Sequence, residues 1–149
     1  MDNYELYMKE ALKEAELAAL EDEVPIGCVI VCNDKIIARA HNERDKTNNP
    51  LGHAEMLAIQ KASKILNDWQ LVECELFVTI EPCLMCAGAI IQSRIKKVVF
   101  GANDLKGGAF GGSINVLNAE NINHRPEVIK GVLEKECSQI IKNYFKSKR

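Results

Sequence analysis

The sequence lacks the features that mark membrane, secreted and multidomain proteins. No stretch of its 149 residues approaches the roughly 20 consecutive apolar residues of a membrane-spanning helix. The opening segment, residues 1–5, is acidic and lacks the apolar run of a signal peptide. No repeat, low-complexity tract or Pro-rich linker divides the chain, which has only 4 prolines. We therefore expect residues 1–149 to form a single cytoplasmic domain with no membrane partner.

The chain also carries little net charge. Its 19 basic and 21 acidic residues leave a net charge of −2, which excludes a protein that coats DNA with a strongly basic surface. We therefore expect no DNA partner, although a small basic patch for one nucleic-acid loop fits this balance. The charges are segregated, with eight acids and two lysines in residues 1–25 and four bases and no acid in residues 137–149. We expect the basic tail to lie near a ligand and the acidic first helix to face away from it.

The hydrophobic periodicity predicts alternating helices and strands. Helices are predicted at 3–22, 53–66, 82–92 and 133–146, strands at 26–32, 35–40, 75–80, 96–101 and 128–132, and loops at 42–52 and 102–113, with 114–127 irregular. The Asn33-Asp34 turn makes the first two strands a hairpin. Since the strand at 26–32 is apolar on both faces, we expect helices on both sides of it. This order predicts a three-layer α/β/α sandwich with a mixed sheet.

Two cysteines and one histidine predict a metal site. In a cytoplasmic protein, the 6 cysteines are free thiols or metal ligands rather than a disulfide framework. Cys83 and Cys86 lie on one face near the start of a predicted helix, where the helix dipole favours thiolates. His53 adds a nitrogen ligand from the start of another predicted helix. Three such ligands suit a catalytic Zn²⁺ with an open position for water, and Glu55 would lie beside that water without binding the metal.

Other interpretations of these residues stay open. A lone Cys-x-x-Cys segment also occurs in redox proteins and in structural zinc knuckles. A structural site would need a fourth ligand, for which the candidates are Cys74, Cys137, His41 and His124. Glu55 could be a solvated residue on the surface of its helix. The combination of His-x-Glu with Pro-Cys-x-x-Cys, in contrast, is typical of zinc deaminases.

Further segments narrow the choice among deaminases. They are residues 23–27, 38–42, 81–89, 93–95, 98–102, 104 with 106, and 123–125. With the two motifs, these segments resemble the bacterial tRNA-specific adenosine deaminases over essentially the whole chain. The motifs alone would fit any cytidine, cytosine, guanine or adenosine deaminase. The Ser-Arg-Ile segment at 93–95 and the Gly-Ala-x-Asp-x-Lys-Gly loop at 101–107 point to the tRNA enzymes.

The resemblance implies a fold, a reaction and partners. The fold would be cytidine deaminase-like, with five strands in its central mixed sheet and one Zn²⁺ per subunit bound by His53, Cys83 and Cys86. The reaction would be hydrolytic deamination of adenosine to inosine at the wobble position of a tRNA anticodon stem-loop, in arginine tRNA. Glu55 would shuttle protons between the attacking water, N1 of adenine and the leaving ammonia. The subunits would form a homodimer.

By the same resemblance, Asn42, Asp104 and Lys106 contact the substrate. Each also has an ordinary alternative role. Asn42 could close an Asx turn, Asp104 could be a turn or cap residue, and Lys106 could be an exposed lysine. The chain departs from the family pattern at Leu51-Gly52 and at residues 110–113, and we expect both departures to lie near the rim of the pocket.

Two other functions remain open. One is a zinc-dependent deaminase of a free base or nucleoside such as guanine or cytosine. The other is a zinc-stabilised RNA-binding module without catalysis. Aromatic residues make up only 5% of the chain and form no motif for stacking RNA bases, so RNA binding is inferred from the resemblance, with weak support from the basic tail. That tail could equally be the solvated end of an amphipathic helix.

Overall fold

Helices and strands alternate along residues 3–148, the part of the chain that the computed structural model describes. They are α1 (Tyr4–Leu20), β1 (Gly27–Cys32), β2 (Lys35–His41), α2 (Ala54–Leu66), β3 (Cys74–Ile80), α3 (Leu84–Gln92), β4 (Lys97–Ala102), β5 (Glu127–Lys130) and α4 (Glu134–Ser147). A short 3-10 helix, Val116–Asn118, lies in the segment predicted to be irregular. The sequence thus predicted every other element, with shifts of one or two residues at the boundaries.

The strands form one mixed sheet in the order β2-β1-β3-β4-β5. β1 pairs antiparallel with β2, as the predicted hairpin requires, and also with β3. β3, β4 and β5 are parallel. Parallel neighbours need a crossover connection, and α3 supplies it between β3 and β4.

Helices cover both faces of this sheet. Successive strand residues point to opposite faces, so Ile30 and Leu76 pack on one side with α2 and α3. Val29 and Phe77 pack on the other side with α1 and α4. This confirms the predicted three-layer sandwich with a five-stranded mixed sheet. None of the helices within residues 3–148 has the length and apolar character needed to cross a bilayer.

Helix α1 lies very close to the sheet. Its buried face is rich in alanine, which lets its backbone approach the start of β1. A Cβ atom placed on Gly27 would lie 1.9 Å from the carbonyl oxygen of Ala11 and 2.4 Å from the amide nitrogen of Ala15. Position 27 therefore has no room for a side chain. The close packing of the α1 backbone against Gly27 fixes where α1 lies along the sheet.

The acidic N-terminal helix and the basic C-terminal tail lie closer together than the sequence predicted. Helix α1 packs on the sheet face opposite to α2 and α3, as expected for an acidic helix facing away from the predicted site. The basic tail, however, returns to the end of α1, where Lys148 forms an ion pair with Asp22. The Tyr144 hydroxyl donates to the Asp22 carbonyl oxygen at 3.1 Å. Part of the tail's charge is therefore neutralised, while Arg149 lies outside the described residues.

Candidate metal and catalytic site

His53, Cys83 and Cys86 converge where α2 and α3 begin. Their ligand atoms lie within 4.8 Å of one another. Nδ1 of His53 is 3.6 Å from Sγ of Cys83 and 3.6 Å from Sγ of Cys86. In a tetrahedral zinc site, Zn–N and Zn–S bonds of about 2.0 and 2.3 Å separate nitrogen from sulfur by about 3.6 Å. The three donors thus have the spacing of a single metal site.

Local backbone structure brings the donors together. His53 and Cys83 are the N-cap residues of α2 and α3, with extended backbone angles. Helix α3 therefore begins two residues later than the predicted start at residue 82, so Cys83 lies just before its first turn and Cys86 lies within it. Cys83 is held outside the helix because the Pro82 carbonyl accepts from the Ala109 amide at 2.9 Å and Cys83 pairs with Gly108 in a β-bridge.

The protonation states of the donors are strongly coupled. A hydrogen bond from Cys86 lowers the pKa of Cys83 to about 4, despite the burial of the thiol. The same bond and burial raise the pKa of Cys86. The hydrogen bond with Cys83 raises the pKa of His53 more than burial lowers it. One thiolate is therefore already favoured, and metal binding here would release the remaining protons.

Glu55 lies in the first turn of α2 and is buried with only 4% of its surface exposed. Burial raises the pKa of its carboxyl group to about 7, with a further contribution from the Cys83 charge. Its carboxyl group is close enough to His53 and Cys86 to interact with both. This placement excludes the alternative of a solvated residue on the helix surface.

The four candidates for a fourth structural ligand lie elsewhere in the described chain. Cys74 pairs with Cys32 at the far end of β3, and Cys137 packs on the opposite face of the sheet. His41 is hydrogen-bonded to Glu14. His124 is hydrogen-bonded to the Ile95 carbonyl oxygen. The cluster of His53, Cys83 and Cys86 is thus a three-ligand group, which favours a catalytic over a structural metal.

Asn42 and Asp104 have roles in their own loops. The Asn42 side-chain oxygen accepts from the Arg44 amide at 3.2 Å, which closes an Asx turn. Oδ1 of Asp104 accepts from the amides of Lys106 and Gly107 at 3.0 Å each. The structure therefore shows the turn roles that the sequence offered as alternatives. Substrate contacts by these two residues remain a prediction.

Lys106 is exposed and faces the C-terminal helix. A cavity of about 470 Å³ separates the Asp104 loop from α4. Its lining includes Ile26, Asp104, Lys106, Lys142 and Phe145. The cavity thus brings two predicted substrate residues opposite the basic tail.

Two departures from the family pattern lie in different environments. Leu51 is half exposed, at the predicted rim. Phe110 is 3% exposed and packs into the core with α2 and α3, whereas Gly111 and Ser113 in the same segment are exposed. The glycine-rich sequence around Phe110 is typical of an exposed loop. No neighbouring residue in the sequence indicates that this loop folds toward the core.

Sequence reasoning assigned no role to two buried glutamates beside the site. Glu23 is 2% exposed and Glu81 is 3% exposed. Both carboxylates accept hydrogen bonds from the backbone of loops that border the cluster. A signal was available for Glu81, which stands between an apolar strand and Pro82, where a solvated carboxylate is unexpected. Glu23 follows two other acids and carries no such signal.

Comparisons with known proteins agree with this geometry. Residues 2–149 match the family described as MafB19-like deaminase. The chain is 52% identical over 149 residues to a tRNA-specific adenosine deaminase of Bacillus subtilis (strain 168), covering 100% of this chain and 92% of that protein. A structure from a study of A-to-I editing by tRNA:A34 deaminases at the wobble position of transfer RNA superposes with a TM-score of 0.88 and 39% identity, over 91% of this chain and 98% of that one. A guanine deaminase from Bacillus subtilis superposes with a TM-score of 0.65 and 31% identity, over 80% and 87% of the two chains.

The fold and the match over nearly the whole chain define the protein as a member of the MafB19-like deaminase family. Its identity to the curated relatives, 52% in one case, extends along the full sequence. Within that family, the chain belongs to the tRNA-specific adenosine deaminases.

Proposed function

We propose that this chain is a zinc-dependent deaminase that converts adenosine to inosine at the wobble position of a tRNA anticodon. The observation that carries the proposal is the three-donor cluster with the buried Glu55 carboxylate beside it. The chain's full-length similarity to a tRNA-specific adenosine deaminase supports the choice of substrate. The whole of residues 1–149 would act as one deaminase domain.

His53, Cys83 and Cys86 would hold one Zn²⁺ per subunit. One nitrogen and two sulfur donors match the ligands that zinc prefers, and their separations of 3.6 Å fit a single ion. Bound there, zinc would supply Lewis-acid chemistry by lowering the pKa of a coordinated water toward neutrality. Three protein ligands leave room for that water, whereas a structural site would be closed by a fourth.

Glu55 is the proton carrier in this proposal. Its carboxylate accepts a proton from the attacking water and delivers it to N1 of adenine, while C6 gains the new C–O bond. In a second transfer, the same carboxylate carries the proton of the new C6 hydroxyl to the amine. The C6–N bond then breaks, the C6 carbonyl of inosine forms, and ammonia leaves. Burial of Glu55 excludes bulk solvent from these transfers.

The substrate is an unpaired adenosine, because C6 of a stacked and paired base cannot reach a site this buried. Asn42 would hydrogen-bond the inserted base, Asp104 would contact the neighbouring nucleotide, and Lys106 would approach a phosphate. The partner is thus a tRNA anticodon stem-loop, and we propose arginine tRNA as its source. We further propose that the enzyme works as a cytoplasmic homodimer, a state that sedimentation would measure.

A deaminase of a free base is the second candidate. The likeness to a guanine deaminase of Bacillus subtilis, at 31% identity, favours guanine as its substrate. The same cluster and carboxylate would act at the C–N bond of a free purine. The two candidate functions share the zinc chemistry. They differ in the substrate and in the contacts around the pocket.

Incubation with matched substrates tests the proposal. The zinc-loaded protein is mixed with an anticodon stem-loop bearing adenosine at the wobble position, and separately with free guanine, cytosine and adenosine. We expect inosine in the loop with an equal amount of ammonia, and slow or no turnover of the free compounds. A duplex that pairs the same adenosine is the control and should not react. Rapid turnover of guanine without inosine in the stem-loop would favour the second candidate.

A further inference from the structure

Glu81 organises the loop at residues 103–113 through its backbone. Oε1 accepts from the Asp104 amide at 3.0 Å. Oε2 accepts from the Phe110 amide at 2.9 Å and from the Gly112 amide at 2.8 Å. The carboxylate is buried, so these three bonds replace its hydration. One side chain therefore determines where both ends of this loop lie.

Glu23 anchors the loop at residues 42–52 in the same way, by accepting hydrogen bonds from its backbone amides. Its two carboxylate oxygens accept from the Asp45 amide at 3.1 Å and the Lys46 amide at 2.5 Å. Within residues 3–148, the ion pairs of the structure use other carboxylates, and neither Glu23 nor Glu81 is among them. The buried charge of each is satisfied by loop amides, an arrangement that favours a single loop conformation.

Both loops border the metal cluster directly. In the 42–52 loop, the Glu43 amide donates to the carbonyl oxygen of Gly52, the residue before His53. In the 103–113 loop, Gly108 forms a β-bridge with Cys83. A displacement of either loop would therefore move the walls of the site around its metal ligands.

Glycines let the 103–113 loop close around Glu81. A Cβ atom on Gly112 would lie 2.4 Å from Oε1 of Glu81, and one on Gly108 would lie 2.3 Å from its Cδ. A side chain at either position would push the loop off the carboxylate. The close approach of the Glu81 carboxylate therefore requires glycine at positions 108 and 112.

We infer that Glu23 and Glu81 are positioning residues that hold the two loops in the conformation that receives the RNA substrate. The inference rests on the proposed function for the identity of that substrate. The loops carry Asn42, Asp104 and Lys106, the residues proposed to contact the RNA. The carboxylates act only through these loops and touch neither the metal donors nor the base.

Amide hydrogen exchange tests the anchoring without any substrate. In Glu81→Gln, one acceptor oxygen is replaced by an amide that cannot accept from a backbone N–H. We expect faster exchange in the 103–113 loop and unchanged exchange in α2, with zinc content retained. Glu81→Ala should have a larger effect because all three bonds are lost. Gly112→Ala should loosen the same loop with Glu81 intact.

Kinetics with the stem-loop tests the consequence for binding. Loss of a hydrogen bond to a charged group should raise KM about tenfold, in Glu81→Gln and in Glu23→Gln. The maximal rate should stay close to that of the wild type, since the zinc ligands and Glu55 are unchanged. Glu14→Gln is the matched control, because Glu14 is also buried but pairs with His41 and Arg39 rather than with a loop. It should lower stability without raising KM.

Two results would overturn the inference. One is unchanged exchange of the loop amides in Glu81→Ala. The other is a wild-type KM in Glu23→Gln and Glu81→Gln after their loops have lost protection. If the wild-type protein leaves the stem-loop unmodified, the proposed function fails, while the exchange data still decide whether the carboxylates anchor the loops.

Discussion

His53 and Cys83 occupy equivalent positions in their helices, and their donor atoms lie 3.6 Å apart. Each residue immediately precedes a first helical turn and has an extended backbone. Since α2 and α3 pack on the same face of the sheet, two N-caps distant in sequence meet at one point. Cys86 completes the set from the first turn of α3. The geometry of the candidate metal site therefore depends on where the two helices begin.

Removal of one sulfur ligand should remove the metal. Cys83→Ala leaves two donors in a site that needs three, so we expect zinc to fall from one ion per chain to nearly none in elemental analysis. Cys137→Ala is the control, because that buried cysteine lies on the opposite face of the sheet. Full zinc occupancy in Cys83→Ala would refute the ligand assignment, and loss of zinc in Cys137→Ala would point to a different site.

Glu55→Gln should separate binding from chemistry. The amide keeps the size of the side chain but cannot carry a proton between water and the base. We expect the rate of inosine formation to fall by about 10²–10⁴-fold, with zinc content and stem-loop affinity retained. Single-turnover assays and a titration with labelled stem-loop provide the two measurements. Undiminished turnover in this variant would exclude Glu55 as the proton carrier, and no turnover even in the wild type would favour a binding module.

Gly27→Ala should destabilise the fold, because the new Cβ would overlap the backbone of α1. Helix and sheet would have to separate, at a cost of about 3 kcal/mol in the free energy of unfolding. Gly88→Ala is the matched control, since a Cβ on Gly88 meets nothing within 4 Å. That change, inside α3, should stabilise the protein by about 0.5–1 kcal/mol. Urea unfolding of the zinc-loaded proteins measures both, and equal stabilities would contradict the packing described for Gly27.

His41 should make stability depend on pH. Burial alone would lower the pKa of His41, but its hydrogen bonds to Glu14 and Glu21 outweigh that effect, and the folded-state pKa lies above 6.5. The protonated imidazole therefore adds stability that is fully present below pH 6.5 and is lost as the pH rises through the folded-state pKa.

The comparison of wild type with His41→Gln isolates this contribution. At about pH 6 the wild type should be more stable by about 1 kcal/mol, the contribution expected from the part-buried hydrogen bond between His41 and Glu14. The advantage should shrink toward about pH 9, because the imidazole loses its proton as the pH rises through its folded-state pKa. Chemical unfolding at the two pH values measures the difference. An advantage that grows with pH would contradict the assigned protonation.

The sheet, its helices and the cluster of candidate metal donors were predictable from sequence because their signals are local. A continuous apolar run defined β1, and the spacing of Cys83 and Cys86 placed both near one helix start. The roles of Glu23 and Glu81 were not predictable in this way. Their partners lie 22 to 31 positions away along the chain, and only the folded loops bring those amides to the carboxylates.

Two further features could not be predicted for the same reason. Phe110 is buried, because the glycine-rich loop turns inward onto Glu81. Lys148 in the basic tail meets Asp22 at the end of the acidic helix. Both outcomes depend on long-range packing, to which composition and periodicity are insensitive.

Deamination in isotopically labelled water tests whether the protein hydrolyses the wobble adenosine of a tRNA anticodon to inosine. The zinc-loaded protein is incubated with the wobble-adenosine stem-loop in water enriched in heavy oxygen, and the nucleosides are analysed by mass spectrometry. We expect inosine at the wobble position with the heavy oxygen at C6 and one ammonia released per inosine. An unmodified adenosine at that position, under conditions where the same preparation consumes free guanine, would contradict it.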